Sequence, residues 1–115
     1  MAKKSIVLLK NENNLLPLKK EGQKIVLIGA LAADKNSPLG SWRIASDNNT
    51  AISVLEGMQQ YKGNSLVYKK GADLIVGEAV FTQEIKINTS DKSEFAAAIA
   101  AAKSADVVVI VLGEH

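Results

Sequence analysis

Six consecutive apolar residues, Val107-Val-Val-Ile-Val-Leu112, constrain this chain more than any other feature. A β-branched run of that length, with no polar alternation, reads as a strand buried on both faces, as in a parallel sheet covered by helices. Asp106 opens it and Gly113 closes it. In open α/β sheets, ligands bind outside the carboxyl ends of such strands, so Gly113-Glu-His115 reads as the start of a functional loop. A chain whose last strand leads straight into that loop is expected to be a piece of a larger protein.

The preceding sequence supplies matching elements. Lys24-Ile-Val-Leu-Ile-Gly-Ala30 reads as a first strand and Ser65-Leu-Val-Tyr-Lys69 as a second, shorter one. Between them, a helix signature starts at Asp47, with cap candidates among Asp47, Asn48, Asn49 and Thr50. Ile52, Val54, Leu55, Met58 and Gln59 form its stripe, and Gly63 supplies the stop. Asp91-Lys-Ser-Glu94 has the capping-box form and predicts a helix over the alanine-rich stretch 95–105, with Phe95, Ala98, Ile99 and Ala102 on one face. Glu84-Ile-Lys-Ile-Asn88 alternates like a small edge strand. Strand, helix, strand, insertion, helix, strand favours right-handed crossovers. The fold class is therefore α/β: a three-layer α/β/α sandwich with a mostly parallel, flavodoxin-like sheet. Residues 1–23 read as a lead-in or linker segment, with turn chemistry at Asn11–Asn14 and Pro17 breaking the second apolar cluster. Residues 24–115 read as the α/β domain itself, incomplete as a sandwich.

Composition narrows the function. With 14 basic and 12 acidic residues, scattered, there is no basic run to support a nucleic-acid partner. The chain has no cysteine and one histidine, which leaves neither a disulfide framework nor the usual donors of a metal site, and no cofactor is implied. No apolar run reaches the roughly 18 residues that a membrane span requires. The compartment stays open between periplasmic or secreted and cytoplasmic.

Residues 31–47 carry no clean period and contain Pro38 and Gly40, and an irregular loop of this length inside a domain is usually functional or disordered. It fits neither the dinucleotide nor the P-loop glycine pattern. It does carry the only tryptophan, Trp42, beside Arg43. An aromatic next to a guanidinium suits sugar stacking and hydroxyl recognition; the competing reading is that Trp42 plugs the loop onto the helix. Glu114 and His115 are the other substrate-binding candidates, at a strand's carboxyl end. Asp34, Asp47 and Asp73 read as turn and cap residues. No carboxylate pair is arranged for glycoside hydrolysis, so no catalytic residue is assigned within the chain.

Several phrases then resemble the C-terminal α/β domain of family 3 glycoside hydrolases, in its bacterial β-glucosidase branch. They are Ser5-Ile-Val-Leu-Leu-Lys-Asn11 with Leu15-Leu-Pro-Leu18, Lys24-Ile-Val-Leu-Ile-Gly-Ala-Leu-Ala-Ala-Asp34, Leu39-Gly-Ser-Trp42, and the stretch 95–114. Arg43 departs from the small or hydroxyl residue that usually follows Gly-Ser-Trp. The resemblance implies a parent with an N-terminal barrel domain, absent here, and a β-glucoside or oligosaccharide held between the two domains. It implies a retaining exo-acting mechanism, with a barrel aspartate as nucleophile and a second-domain glutamate as acid/base a few residues past Leu112-Gly113-Glu114. The acid/base role is not carried onto Glu114, and the isolated chain is expected to be inactive. The family sandwich has about six strands and this chain about three, so an exposed sheet edge open to self-association is expected. The alternative is a free-standing, non-enzymatic flavodoxin-like binding or assembly module.

Overall fold

The computed structural model describes residues 2–40, 42, 45–77 and 84–113. Three parallel strands form the sheet: β1 (Glu21–Ile28), β2 (Gly63–Lys69) and β3 (Val107–Ile110), in the spatial order β2-β1-β3. The register runs Ile25, Val26, Leu27 and Ile28 against Leu66, Val67, Tyr68 and Lys69 on one side. The same four residues face Val107 to Ile110 on the other. A single helical turn, α1 (Ala2–Ser5), precedes the sheet, while α2 (Val54–Gln59) and α3 (Phe95–Lys103) are its two crossover helices.

Because side chains alternate along a strand, Ile25 and Ile28 point to opposite faces. Ile25 and Leu66 share a cavity with Met58 of α2, with Pro17 and Leu18 of the lead-in segment on its wall. Ile28, Val108 and Ile110 share a groove with Phe95, Ala98, Ile99 and Ala102 of α3. The two helices thus cover opposite faces, giving the three layers of an α/β sandwich. The α3 face is the one that the sequence spacing defines. The core is small: Ile25, Val26, Leu27, Ala32, Ala98 and Val107 are buried, and Leu27 is fully so.

Four local readings are corrected. β1 starts at Glu21 rather than Lys24, because its polar entry finds partners: Gln23 N donates to Asn64 Oδ1 at 3.0 Å, and Glu21 pairs with Gly63. Helix α2 is capped by Ser53, not by Asp47 to Thr50. Ser53 Oγ accepts from Glu56 N at 3.1 Å and Ser53 N donates to Glu56 Oε2 at 3.0 Å, a reciprocal capping box. Asn49 sits at φ 62°, off the helical path, which leaves Ile52 in an exposed lead-in. The Asp91 box does not form: Asp91 Oδ1 accepts from Ser93 N two residues on, and Glu94 occupies the cap position without a side-chain bond. Residues 84–88 make one antiparallel bridge, Ile75 to Ile87, rather than a strand.

The terminal run is corrected most. Val107 is buried, but Val108 is 40% exposed and Ile110 57% exposed. β3 is an edge strand, and α3 packs mainly over β1 and β2. The position of a strand within its sheet, which sequence period does not encode, decides this burial.

Truncating Leu27 to Ala should therefore cost about 3 kcal/mol or more by urea denaturation, enough to unfold a domain this small. Ile110→Ala at the open edge should cost less than about 1 kcal/mol. Equal losses at both positions would contradict a core centred on β1.

Candidate functional site

The carboxyl ends of the three strands meet at Gly29. Its N–H donates to Lys69 O at 3.1 Å, and Val111 N–H donates to Ile28 O at 2.9 Å. The Tyr68 hydroxyl reaches Gly29 O at 3.3 Å, and burial pushes that phenol above its usual value. Gly29 has φ 124°, and a Cβ there would lie 2.3 Å from Val111 O. Only glycine permits both the turn and this close approach. The sharp exit sends residues 30–40 across the top of the sheet as two short 3-10 turns, Ala30–Ala32 and Ser37–Leu39.

Two recesses open at this end. A cleft of about 370 Å³ is lined by Ala30, Leu31, Asp34, Asp73, Leu74 and Ile75. Both carboxylates in it are already engaged. Asp34 Oδ1 accepts from Asn36 N at 2.7 Å, and its carboxylate also takes the Ser37 N–H and hydroxyl. Asp73 accepts from Lys70 Nζ at 2.7 Å, a bond that raises the Lys70 ammonium above its ordinary value. Asp34 takes the turn role that the sequence suggests, whereas the Asp73 carboxylate is held by its ion pair with Lys70. The second recess is the apolar groove of about 500 Å³ between α3 and β3. Among the described residues, no three His, Cys, Asp or Glu side chains converge as metal ligands.

Of the four substrate-binding candidates, Trp42 is described, and its indole is 91% exposed. The plug reading for Trp42 is thereby corrected: the ring does not pack on α2. Arg43, Glu114 and His115 lie outside the described residues. What the sequence reading missed is the polar foot of the Trp42 loop. Asn49 N donates to Asn36 Oδ1 at 2.8 Å, and Asn36 Nδ2 donates to Asn49 Oδ1 at 3.3 Å. One residue earlier, Lys35 Nζ meets Glu56 Oε1 at 2.8 Å. The available signal was asparagine on each side of an irregular loop, a residue type that bonds backbone outside regular elements.

The geometry defines the class: a parallel α/β unit with an aromatic-bearing loop at the carboxyl end of its central strand. The chain belongs to the glycosyl hydrolase family 3 C-terminal domain family, whose model matches residues 6–115. It is 37% identical to a periplasmic beta-glucosidase of Salmonella typhimurium over 99% of the chain and 16% of that protein. It is 33% identical to a beta-xylosidase of Formosa agariphila over 98% of the chain and 15% of that protein. A xylan 1,4-beta-xylosidase of Xylanibacter ruminicola is 42% identical over 64% of the chain and 8% of its own length. The chain thus spans about one sixth or less of the length of these relatives.

The hydrogen bond from Lys35, then that with the Ser53 backbone, holds the Glu56 carboxyl below the usual 4.5. A carboxyl with a depressed folded-state value stabilises the fold above its unfolded value, and that contribution is lost as pH falls through the depressed one. Melting temperature should therefore fall on acidification below 4.5 in the native chain, with a smaller decrement in Glu56→Gln. Parallel curves for the two proteins would remove Glu56 from the acid response.

Proposed function

We propose that this domain forms one wall of the sugar pocket in a longer retaining, exo-acting β-glucosidase, through the 31–46 loop and the loop that starts at Gly113. The observation that carries the reading is Trp42: a large apolar ring left exposed, on a loop at the ligand-binding end of a parallel sheet, in a chain of this family. An exposed indole is costly in water and suited to the apolar face of a pyranose, and Trp rings supply large contact area with one polar handle. Arg43, Glu114 and His115 are proposed as further hydroxyl-binding residues.

The chemistry is assigned to residues outside this chain. A retaining mechanism needs a nucleophile and an acid/base with carboxyl groups about 5 Å apart. Asp34 and Asp73, the carboxylates that line the described cleft, are committed to Ser37 and Lys70. The nucleophile would come from a barrel domain, and the acid/base from a glutamate of the longer protein. The names of the relatives cover glucosides and xylosides. A β-glucoside or β-linked oligosaccharide is accordingly the proposed substrate, and a periplasmic or secreted location is proposed from the Salmonella relative.

The remaining partner is the rest of the protein, set against the apolar surface that β3 and α3 leave open. In isolation the same surface, with Val108, Ile110 and Leu112 exposed, would drive self-association.

Trp42→Ala in the longer protein should raise KM for an aryl β-glucoside by about tenfold or more while kcat changes little, the pattern of lost uniform binding. The 115-residue chain alone should not hydrolyse aryl β-glucosides or β-xylosides. Unchanged KM in Trp42→Ala, or turnover by the isolated chain, would overturn the reading.

A further inference from the structure

Among its described residues, the Trp42 loop has little hydrophobic support. Between Asn36 and Asn49 no described residue is buried. Among the described residues, the buried ones lie in β1, β3 and α3, in the turn Ala30–Ala32, and at Gly29, Ser53 and Gly71. The described residues of the loop thus gain little from the hydrophobic effect, and directional bonds contribute to their geometry.

Two such bonds meet at the foot of the loop. Asn36 and Asn49 are 13 positions apart, and they exchange two hydrogen bonds. The shorter, at 2.8 Å, runs from the Asn49 main-chain N–H to the Asn36 side-chain oxygen. Asn49 offers that N–H from a left-handed conformation, φ 62°, which asparagine tolerates better than most residues. Asn36 is itself fixed by its N–H to Asp34 Oδ1 at 2.7 Å. Its neighbour Lys35 is tied to Glu56, the same glutamate that closes the Ser53 capping box. A continuous polar chain therefore runs from the first turn of α2, through Glu56 and Lys35, to the pair that closes the loop. Past that pair, Thr50 Oγ1 donates to Asp47 O at 3.0 Å.

We infer that Asn36 and Asn49 are positioning residues: a clamp at the foot of the loop that fixes where Trp42 stands relative to the strand ends. The inference rests on the proposed role of Trp42 in the sugar pocket. The clamp touches no sugar. It lowers the number of loop conformations from which the indole must be recruited, and so acts on binding rather than on the chemical step. Its components are not equivalent. The Asn36 side-chain oxygen is essential because it receives the main-chain N–H. The Asn49 side chain contributes only the longer, 3.3 Å bond.

The chain has a single tryptophan, which makes its fluorescence anisotropy decay a direct reporter of the loop. The test compares Asn36→Ala, Asn36→Asp and Asn49→Gly in the 115-residue chain, with far-ultraviolet circular dichroism and melting temperature measured alongside. Asn36→Ala should add a fast local component to the Trp42 decay while the dichroism spectrum stays native. Asn36→Asp keeps the acceptor oxygen, and Asn49→Gly keeps the left-handed turn and the N–H, so both should retain most of the native decay. An unchanged decay in Asn36→Ala, an equal loss in Asn36→Asp, or global unfolding of Asn36→Ala would each overturn the clamp.

A kinetic arm separates this inference from the reading beneath it. In the longer protein, Asn36→Ala should raise KM about tenfold with kcat nearly unchanged. If the indole loosens in Asn36→Ala but KM stays constant in both Asn36→Ala and Trp42→Ala, the clamp stands and the sugar-wall role of Trp42 fails. If Trp42→Ala raises KM while Asn36→Ala leaves both decay and KM unchanged, the sugar-wall role stands and the clamp fails.

Discussion

Everything in this domain hangs on the pairing of β1 with a parallel strand on each side. β2 and β3 never touch each other within the sheet; each is held in register through β1 alone. The consequence is visible in burial, since Ile25, Val26 and Leu27 form the middle of the core while the flanking strands are mostly half-exposed. It is visible too at the strand ends. Asp106 N donates to Lys24 O at 2.9 Å and Lys24 N donates to Asp106 Oδ2 at 2.8 Å, which fixes the entry of β3. At the exit, Gly29 lets the Val111 carbonyl approach where any side chain would block it. β1 thus sets both the register of the sheet and the point from which the Trp42 loop departs.

From that point outward the stabilising physics changes. Inside the sheet, apolar area removed from water does the holding. Above it, few described loop residues beyond Gly29, Ala32 and Gly71 are buried, and local polar bonds help shape the chain: Asp34 into Asn36 and Ser37, Asn36 with Asn49, Lys35 with Glu56, and Asn88 Nδ2 onto Asp73 O at 2.9 Å. Exposed ion pairs of this kind contribute little to global stability. Their effect is conformational, which suits a surface that presents groups to a ligand rather than one that carries the fold. The same division explains why the site can hold an exposed indole without support from the core.

The division also sets what could be read from the sequence. The inner parts of β1 and β2, the alanine-rich α3 and the existence of β3 were legible because apolar runs and helical spacing survive any tertiary context. The parallel topology followed from their order. What failed were features decided by geometry in three dimensions. Ser53 captured the α2 cap because Asn49 turns left-handed and delays the helix, and Asp91 closed a tight local turn before it could cap α3. Val108 and Ile110 read as buried because the sequence marks a strand's apolarity and not its place at an edge. In the candidate site, Trp42 stands out in the sequence as the lone aromatic of an irregular loop. Asn36 and Asn49 do not, since asparagines in a loop are common and only their meeting across 13 positions gives them meaning.

The central claim is that the loop at the carboxyl end of β1 forms part of a sugar pocket completed by residues elsewhere in a longer protein. The most direct measurement is a crystal structure of the native polypeptide that carries this sequence, bound to a non-hydrolysable β-thioglucoside. The account predicts the Trp42 ring against a face of the sugar or its aglycone, with the catalytic carboxylates contributed from outside residues 1–115. A sugar bound remote from the 31–46 loop, with Trp42 in contact with solvent or another protein surface, would contradict it.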